Sequence, residues 1–329
     1  MTIELAPMEG ITTALFRRAY KKWFKGTDWF YTPFIAANQT HKFKTRERQE
    51  VEPYTDKLTP QILTDKAEHF IWAAGKLKEK GYQEVNLNAG CPSATVTTKG
   101  KGAGMLGDLS KLEAFLDEVF SAKERGDIPE VSVKTRVGVA SYDEAEGIAS
   151  LYSRYPFSKV IVHPRIRDDY YNNSPNMEAF KIFYDRIRHE RLVINGNLKT
   201  AGDIERILKS FPDIGGVMIG RGILADPFLP EKIRTKLALK EGANDEAVYA
   251  GLSDRDREML FGFLEELHEQ YLLALSDDRA ALFKMKDIWN FTAAAFPDQE
   301  RQLRAIIKSR NGQEYRMAVR SLREANKNK

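Results

Sequence analysis

Cys91 is the single cysteine in 329 residues, and it stands in the run Asn88-Ala89-Gly90-Cys91-Pro92. With no second thiol in the chain it closes no intramolecular disulfide, which leaves a small packed side chain or a reactive thiol. The preceding residues, Glu84-Val85-Asn86-Leu87, alternate like a short strand, and the glycine and proline stop that strand in a turn. A turn offers little packing and good access to a substrate. Cys91 is therefore expected to be a reactive thiol at a strand's C-terminal end.

Other polar residues follow apolar runs in the same way: Pro7-Met8, Gln61, Asn88, Lys134 with Arg136, His163, Asn195-Gly196-Asn197 and Gly220-Arg221. Each has an ordinary explanation when taken alone. Lys134 could be a solvated strand end, His163 a hydrogen-bonded core histidine, Gly220 a helix-entry turn. Their recurrence at the same end of successive strands points instead to one shared mouth. Asn195-Gly196-Asn197 and Gly220-Arg221-Gly222 each put a glycine where a strand hands over to a helix, the arrangement in which backbone N–H groups hold a phosphate. Arg221 would add a charge-assisted contact. A phosphate there, with Gln61, Lys134 and His163 around the mouth, suits flavin mononucleotide (FMN). No group of His, Asp and Glu shows ligand spacing, so no metal is expected.

The elements that would carry these residues can be read from periodicity. Strand candidates are Ile3–Ala6, Trp29–Tyr31, Leu58–Leu63, Glu84–Leu87, Val131–Lys134, Val160–His163, Leu192–Asn195 and Val217–Ile219. Between them lie helical patterns at Ala67–Lys80, Leu112–Arg125, Asp143–Tyr155, Met177–His189 and Ala201–Ser210. Eight strands alternating with helices over residues 1–240 predict a (β/α)8 TIM barrel. The rival, a doubly wound sheet, lacks a Gly-x-Gly-x-x-Gly after its first strand. Residues 241–252 read as a linker, and 253–329 as a small all-helical C-terminal domain. There Ser253-Asp254-Arg255-Asp256 could cap a helix whose Met259, Phe263, Leu267 and Tyr271 share a face. Further helices fit Ala280–Ala295 and Glu300–Asn326.

Composition bounds the rest. Hydrophobic residues make up 42% and charged residues 30% of the chain, and no apolar run exceeds five residues, so a soluble protein with no membrane span is expected. The N-terminus shows no secretory pattern, and one free cysteine fits a reducing, cytoplasmic location. The net charge of +4 is small, but its distribution is uneven. From Arg301 to Lys329 there are nine Lys or Arg against two acids, a local net of +7. Two more basic clusters lie at Arg17, Arg18, Lys21, Lys22 and Lys25, and at His41, Lys42, Lys44, Arg46 and Arg48. Three such runs fit either solvated faces or a polyanionic partner.

With these motifs assembled, the chain resembles the dihydrouridine synthase family, flavin enzymes that reduce a uracil base in RNA. The resemblance rests on Ala6-Pro7-Met8-Glu9-Gly10, Pro60-Gln61-Ile62, Asn86-Leu87-Asn88-Ala89-Gly90-Cys91-Pro92, Lys134-Thr135-Arg136-Val137-Gly138, His163, Asn195-Gly196 and Gly220-Arg221-Gly222. It implies that Pro7 and Met8 line the flavin ring, that Gln61, Lys134 and His163 bind the flavin, and that Asn195, Gly196, Asn197, Gly220 and Arg221 serve its phosphate end. Asn88 and Arg136 would hold the uracil edge with Tyr171 beside it, and Cys91 would be the general acid. NADPH or NADH would supply electrons, the partner would be RNA, with tRNA the first expectation, and the protein would be a monomer. The chain departs from the family pattern at Thr13, at Asn197 and after His163. The alternative is an FMN-dependent barrel acting on a free small molecule, like a dihydroorotate dehydrogenase; a third is a non-enzymatic RNA-binding or chaperone role.

Overall fold

Ten short strands pair in parallel in a single sheet: β1 (Thr2–Leu5), β2 (Trp29–Tyr31), β3 (Ile35–Ala36), β4 (Leu58–Thr59), β5 (Gln61–Leu63), β6 (Glu84–Ala89), β7 (Glu130–Gly138), β8 (Val160–Ile166), β9 (Leu192–Asn195) and β10 (Gly216–Ile219). The computed structural model describes residues 1–239, 252–275 and 277–327. Of the linker expected over 241–252, only Leu252, which is buried, lies within the described residues.

Neighbours in the sheet run β3-β5-β6-β7-β8-β9-β10-β1-β2-β4. Its two ends meet at Pro60. β4 pairs with β2 and β5 pairs with β6, yet only Pro60 separates β4 from β5. Proline has no N–H to give a ladder, while its carbonyl accepts from the Asn86 N–H at 2.9 Å. Two staves are thus each divided in two, β4 and β5 at Pro60 and β2 and β3 across residues 32–34, and the ten strands amount to the eight staves of a (β/α)8 barrel. The eight strand positions expected from the sequence are all present.

The described residues group into two compact units. One holds Met1–Pro7, Thr27–Asn197 and Glu205–Ile219, and so contains every strand. Its interior holds an apolar cluster of Ala6, Tyr31, Ile161, Val193 and Met218. Polar side chains are buried in it as well, Asn86, Gln61, Ser132 and Glu4 among them, and Tyr31 Oη donates to Glu4 at 2.8 Å.

The second unit holds Met8–Gly26, Leu198–Ile204 and the described residues from Gly220 onward. In it the helix Asp254–Leu275 buries Phe263, Leu267 and Tyr271 on one face, as its four-residue spacing predicts. The helix Ala14–Trp23, which the sequence reading did not pick out, packs on that face through Phe16 and Phe263, with ring centroids 5.7 Å apart. Where one helix was expected over Glu300–Asn326, two are found, Glu300–Lys308 and Gly312–Lys327. Asn311 divides them by accepting from the Glu314 N–H at 2.9 Å, while Glu314 accepts from the Arg310 N–H at 2.8 Å. That reciprocal cap was legible as Asn three residues before Glu. No described helix is long and apolar enough to cross a membrane.

Candidate active site

In a strand, residues two apart share a face, and three such pairs point polar groups into the barrel near strand C-termini: Asn86 and Asn88 on β6, Lys134 and Arg136 on β7, His163 and Arg165 on β8. The parallel sheet brings these ends together, with Asn88 opposite Lys134 and Arg136 opposite His163.

Cys91 is held through Asn88. The Asn88 Oδ1 accepts from the N–H groups of Gly90 (3.1 Å) and Cys91 (3.0 Å), an Asx turn that fixes the loop as it leaves the strand. Asn88 is itself anchored from below. Its amide donates to Gln61 Oε1 at 2.7 Å, Gln61 donates to Asn86 at 2.8 Å, Asn86 to Ser132 Oγ at 2.9 Å, and Ser132 to Glu84 at 2.8 Å. A directed chain of buried hydrogen bonds therefore runs from a carboxylate within the barrel to the cysteine loop. Burial raises the Glu84 pKa, and the nearby Lys159 offsets part of that rise. On its other side the Cys91 carbonyl accepts from the Ala103 N–H at 3.0 Å. Gly102 packs so closely that a Cβ there would sit 3.0 Å from the Cys91 Cβ.

Arg136 is 1% exposed. Its guanidinium donates to three carbonyls: Gly90 (3.1 Å), Ile166 (2.6 Å) and Tyr170 (2.6 Å). It thereby ties the cysteine loop to the segment after β8. Tyr171, 55% exposed, lies with its ring centroid 5.5 Å from that guanidinium and 6.2 Å from the His163 ring. Lys134 makes no ion pair among the described residues, and its pKa falls to about 8. Burial is the main cause and the Arg136 charge the second, with a smaller opposing contribution from Cys91.

His163 is buried, and Arg165 Nη1 approaches its Nε2 at 2.8 Å. A guanidinium can only donate, so Nε2 accepts and the ring proton resides on Nδ1. Asn195 donates to the Met218 carbonyl at 2.7 Å. Gly196 has φ +118°, and a Cβ there would sit 2.7 Å from His163 Cδ2, so glycine lets the loop after β9 close over the histidine. Asn197 follows in the left-handed region at φ +51°. Pro7, Gln61, Asn88, Cys91, Lys134, Arg136, His163, Tyr171, Asn195, Gly196 and Asn197 all belong to the first unit.

Met8, Gly220 and Arg221 belong to the second. The Met8 N–H donates to Thr12 Oγ1 at 2.8 Å, and its carbonyl accepts from the N–H groups of Ile11 and Thr12, both at 3.0 Å. Arg17 Nη1 pins the same turn through the Thr12 carbonyl at 2.7 Å. That cation of the first basic cluster is therefore structural. Gly220 precedes the helix Arg221–Ala225.

Sequence reasoning missed Arg165 and Asp169. Arg165 is 1% exposed and aligns His163; its position two residues along the same strand was the available signal. Asp169 organises the segment after β8. Burial pushes its carboxyl up, but hydrogen bonds from Tyr142, Asn173 and the Ile166 N–H outweigh that and hold it below the ordinary value. An extra β8 residue opposite β7, where the register shifts between Arg136 and Gly138, accommodates Pro164 and has no local sequence signature.

A family model described as dihydrouridine synthase matches residues 4–313. The chain belongs to the dihydrouridine synthase family. Its members are flavin-dependent oxidoreductases, and this chain is an enzyme of that class. A relative named "Probable tRNA-dihydrouridine synthase" from Staphylococcus aureus (strain MRSA252) is 30% identical over 248 residues, 72% of this chain and 73% of that one. Another, "Probable tRNA-dihydrouridine synthase 2" of Bacillus subtilis (strain 168), is 28% identical over 245 residues, again 72% and 73%. Among solved structures, a morphinone reductase variant in complex with tetrahydroNAD aligns with a TM-score of 0.50 at 13% identity, covering 77% of this chain and 91% of that one. At that identity the likeness shows the fold alone.

The donor set fits a flavin. Lys134 is a partly buried cation with no carboxylate partner among the described residues, available to an electron-rich ring or an anion.

Proposed function

We propose that this dihydrouridine synthase family chain binds FMN, takes electrons from NADPH or NADH, and reduces a flipped-out uridine of RNA, a tRNA above all, to 5,6-dihydrouridine. One observation carries the reading: the only cysteine is fixed by Asn88 at the barrel mouth, beside Lys134 and Arg136. When bound, the reduced flavin would supply the hydride that adds to uracil C6.

The chain's own residues do the rest. Hydride addition leaves negative charge over C5 and O4. The Cys91 thiol gives its proton to C5, and solvent then reprotonates the thiolate. The second N–H of the Asn88 amide faces the developing oxyanion. Arg136 acts mainly as a positioning residue, since three carbonyls engage its guanidinium. Lys134, Gln61 and His163 hold the flavin ring, with Asn195, Gly196 and Asn197 toward its phosphate. A base within folded RNA has to leave its stack to reach a barrel mouth, and the basic helices from residue 253 onward hold the surrounding RNA.

The test is a single-turnover assay with reduced, FMN-loaded protein and an unmodified tRNA transcript. Wild type forms dihydrouridine. Cys91→Ala binds FMN and accepts electrons normally but reduces uridine about 10²–10⁴-fold more slowly. A colourless protein that takes up no flavin, or a Cys91→Ala variant as fast as wild type, would sink this reading.

A further inference from the structure

The basic cluster at His41–Arg48 has no part in the site described above, yet it is a built surface. We propose that the loop 37–44, together with Trp72 on the helix Ala67–Glu79, forms a second RNA contact. There an unpaired base stacks on the His41–Trp72 pair, and the flanking lysines hold its phosphates. This rests on RNA being the substrate.

Three anchors make the loop rigid. The Glu47 carboxylate accepts from the Ala36 N–H at 3.1 Å and the Lys44 N–H at 2.7 Å, closing the loop at both ends. The Ala37 N–H donates to the Leu63 carbonyl at 3.2 Å. Asn38 Oδ1 accepts from the Thr40 N–H at 2.9 Å and from its hydroxyl at 2.5 Å.

What the loop presents is an aromatic step. The exposed His41 lies flat on Trp72, with centroids 5.1 Å apart and planes 10° from parallel. Phe43 leans on Trp72 at 5.0 Å, and His69 meets His41 edge-on at 5.9 Å. One face of the His41 ring is thus taken and the residue remains open to solvent, the arrangement of a stacking platform for a base.

Charge agrees with that occupant. Lys42, Lys44, Arg46 and Arg48 are all exposed, whereas Glu47, the one acid between residues 39 and 49, is buried in the clamp. The exposed Glu68, 3.5 Å from His69, is the nearest opposing charge on the helix. The loop also follows the C-terminal end of β3, and Cys91 follows the C-terminal end of β6. In a parallel sheet both lie on the same rim.

The experiment measures binding of an unmodified tRNA transcript across a salt series, alongside nicotinamide-driven flavin reduction. His41→Asn is the informative change, because His41 sits at φ +49° and asparagine tolerates that backbone while removing the ring plane. It is expected to weaken binding about fivefold to a hundredfold with the salt slope unchanged. His41→Phe keeps a ring plane, at the backbone cost a bulky residue carries at φ +49°, and is expected to bind within about twofold of wild type, so that the ring and not the backbone is shown to matter. Lys42→Ala with Lys44→Ala is expected to lower the slope of log affinity against log salt by about one to two. Flavin reduction stays at the wild-type rate in all three. If His41→Asn binds as wild type, the stacking contact is overturned, even when the lysine pair weakens binding. A wild-type protein that binds no RNA overturns the functional reading and this contact with it; one that reduces uridines normally in every variant overturns this contact alone.

Discussion

Replacing Gly196 by alanine tests how tightly the histidine and the loop after β9 are joined. The backbone there has φ +118°, and a methyl group would lie 2.7 Å from His163 Cδ2 and 3.0 Å from its Nε2. The ring has little room to recede, because Arg165 holds Nε2 at 2.8 Å. Backbone strain costs about 1–3 kcal/mol, and overpacking against a fixed ring costs a similar amount, about 1–3 kcal/mol. Gly196→Ala should therefore destabilise the protein by about 3 kcal/mol, lowering Tm by about 6–12 °C for a unit of this size. Gly126 provides the control, since it too has a positive φ (+79°) but nothing lies within 4 Å of its added Cβ. Gly126→Ala should cost only the strain, about 1 kcal/mol. Thermal melts of the flavin-free proteins and the flavin content after purification measure both effects. Equal melting of Gly196→Ala and wild type, with full flavin retention, would refute the close approach and the role given to it.

Arg136→Met leaves the Gly90, Ile166 and Tyr170 carbonyls without their donor; it should cost about 2–4 kcal/mol in urea unfolding and make Cys91 more reactive to a bulky thiol reagent, and unchanged reactivity would argue against the clamp. Lys134 has a folded pKa of about 8, below the ordinary value near ~10.4, so the unfolded chain binds more protons between the two. The cost of burying its charge is present in full below pH 8 and fades as pH rises toward about 10. The flavin-free protein should gain stability over that window, and Lys134→Met should lose that gain; identical profiles would show the charge to be solvated. In the C-terminal helices, Arg323 donates to Glu258 at 2.6 Å and Glu265 at 2.9 Å, so Arg323→Ala should lower Tm. Replacing the exposed Arg304, Lys308 and Arg316 should instead leave Tm unchanged and reduce the salt slope of RNA binding by about two to three; the reverse pattern would show that helix surface to be structural.

The strands other than the two-residue β3, the turn that carries Cys91 and the polar residues at strand C-termini were legible in the sequence. Each depends on local rules: alternation with period two, glycine and proline as punctuation, and the repetition of both. The helix Asp254–Leu275 was legible for the same reason, through apolar residues four apart. What the sequence left open depends on partners distant along the chain. Pro60 looks like an interruption of one strand, and only the pairing of β4 with β2 and β5 with β6 makes it the point where the barrel closes. Arg136 reads from the sequence as a substrate ligand, and the three carbonyls it also holds, 30 to 46 residues away, are visible only in the fold. Arg17 and Arg323 count as free positive charge in a composition, yet one pins the Met8–Thr12 turn and the other two glutamates. Nothing in residues 14–23 announces that they group with helices more than two hundred positions later. Periodicity records which face of an element is buried. Which group a buried donor or charge finds there is decided only when the chain closes, because the cost of leaving it unpaired depends on neighbours that local sequence does not specify.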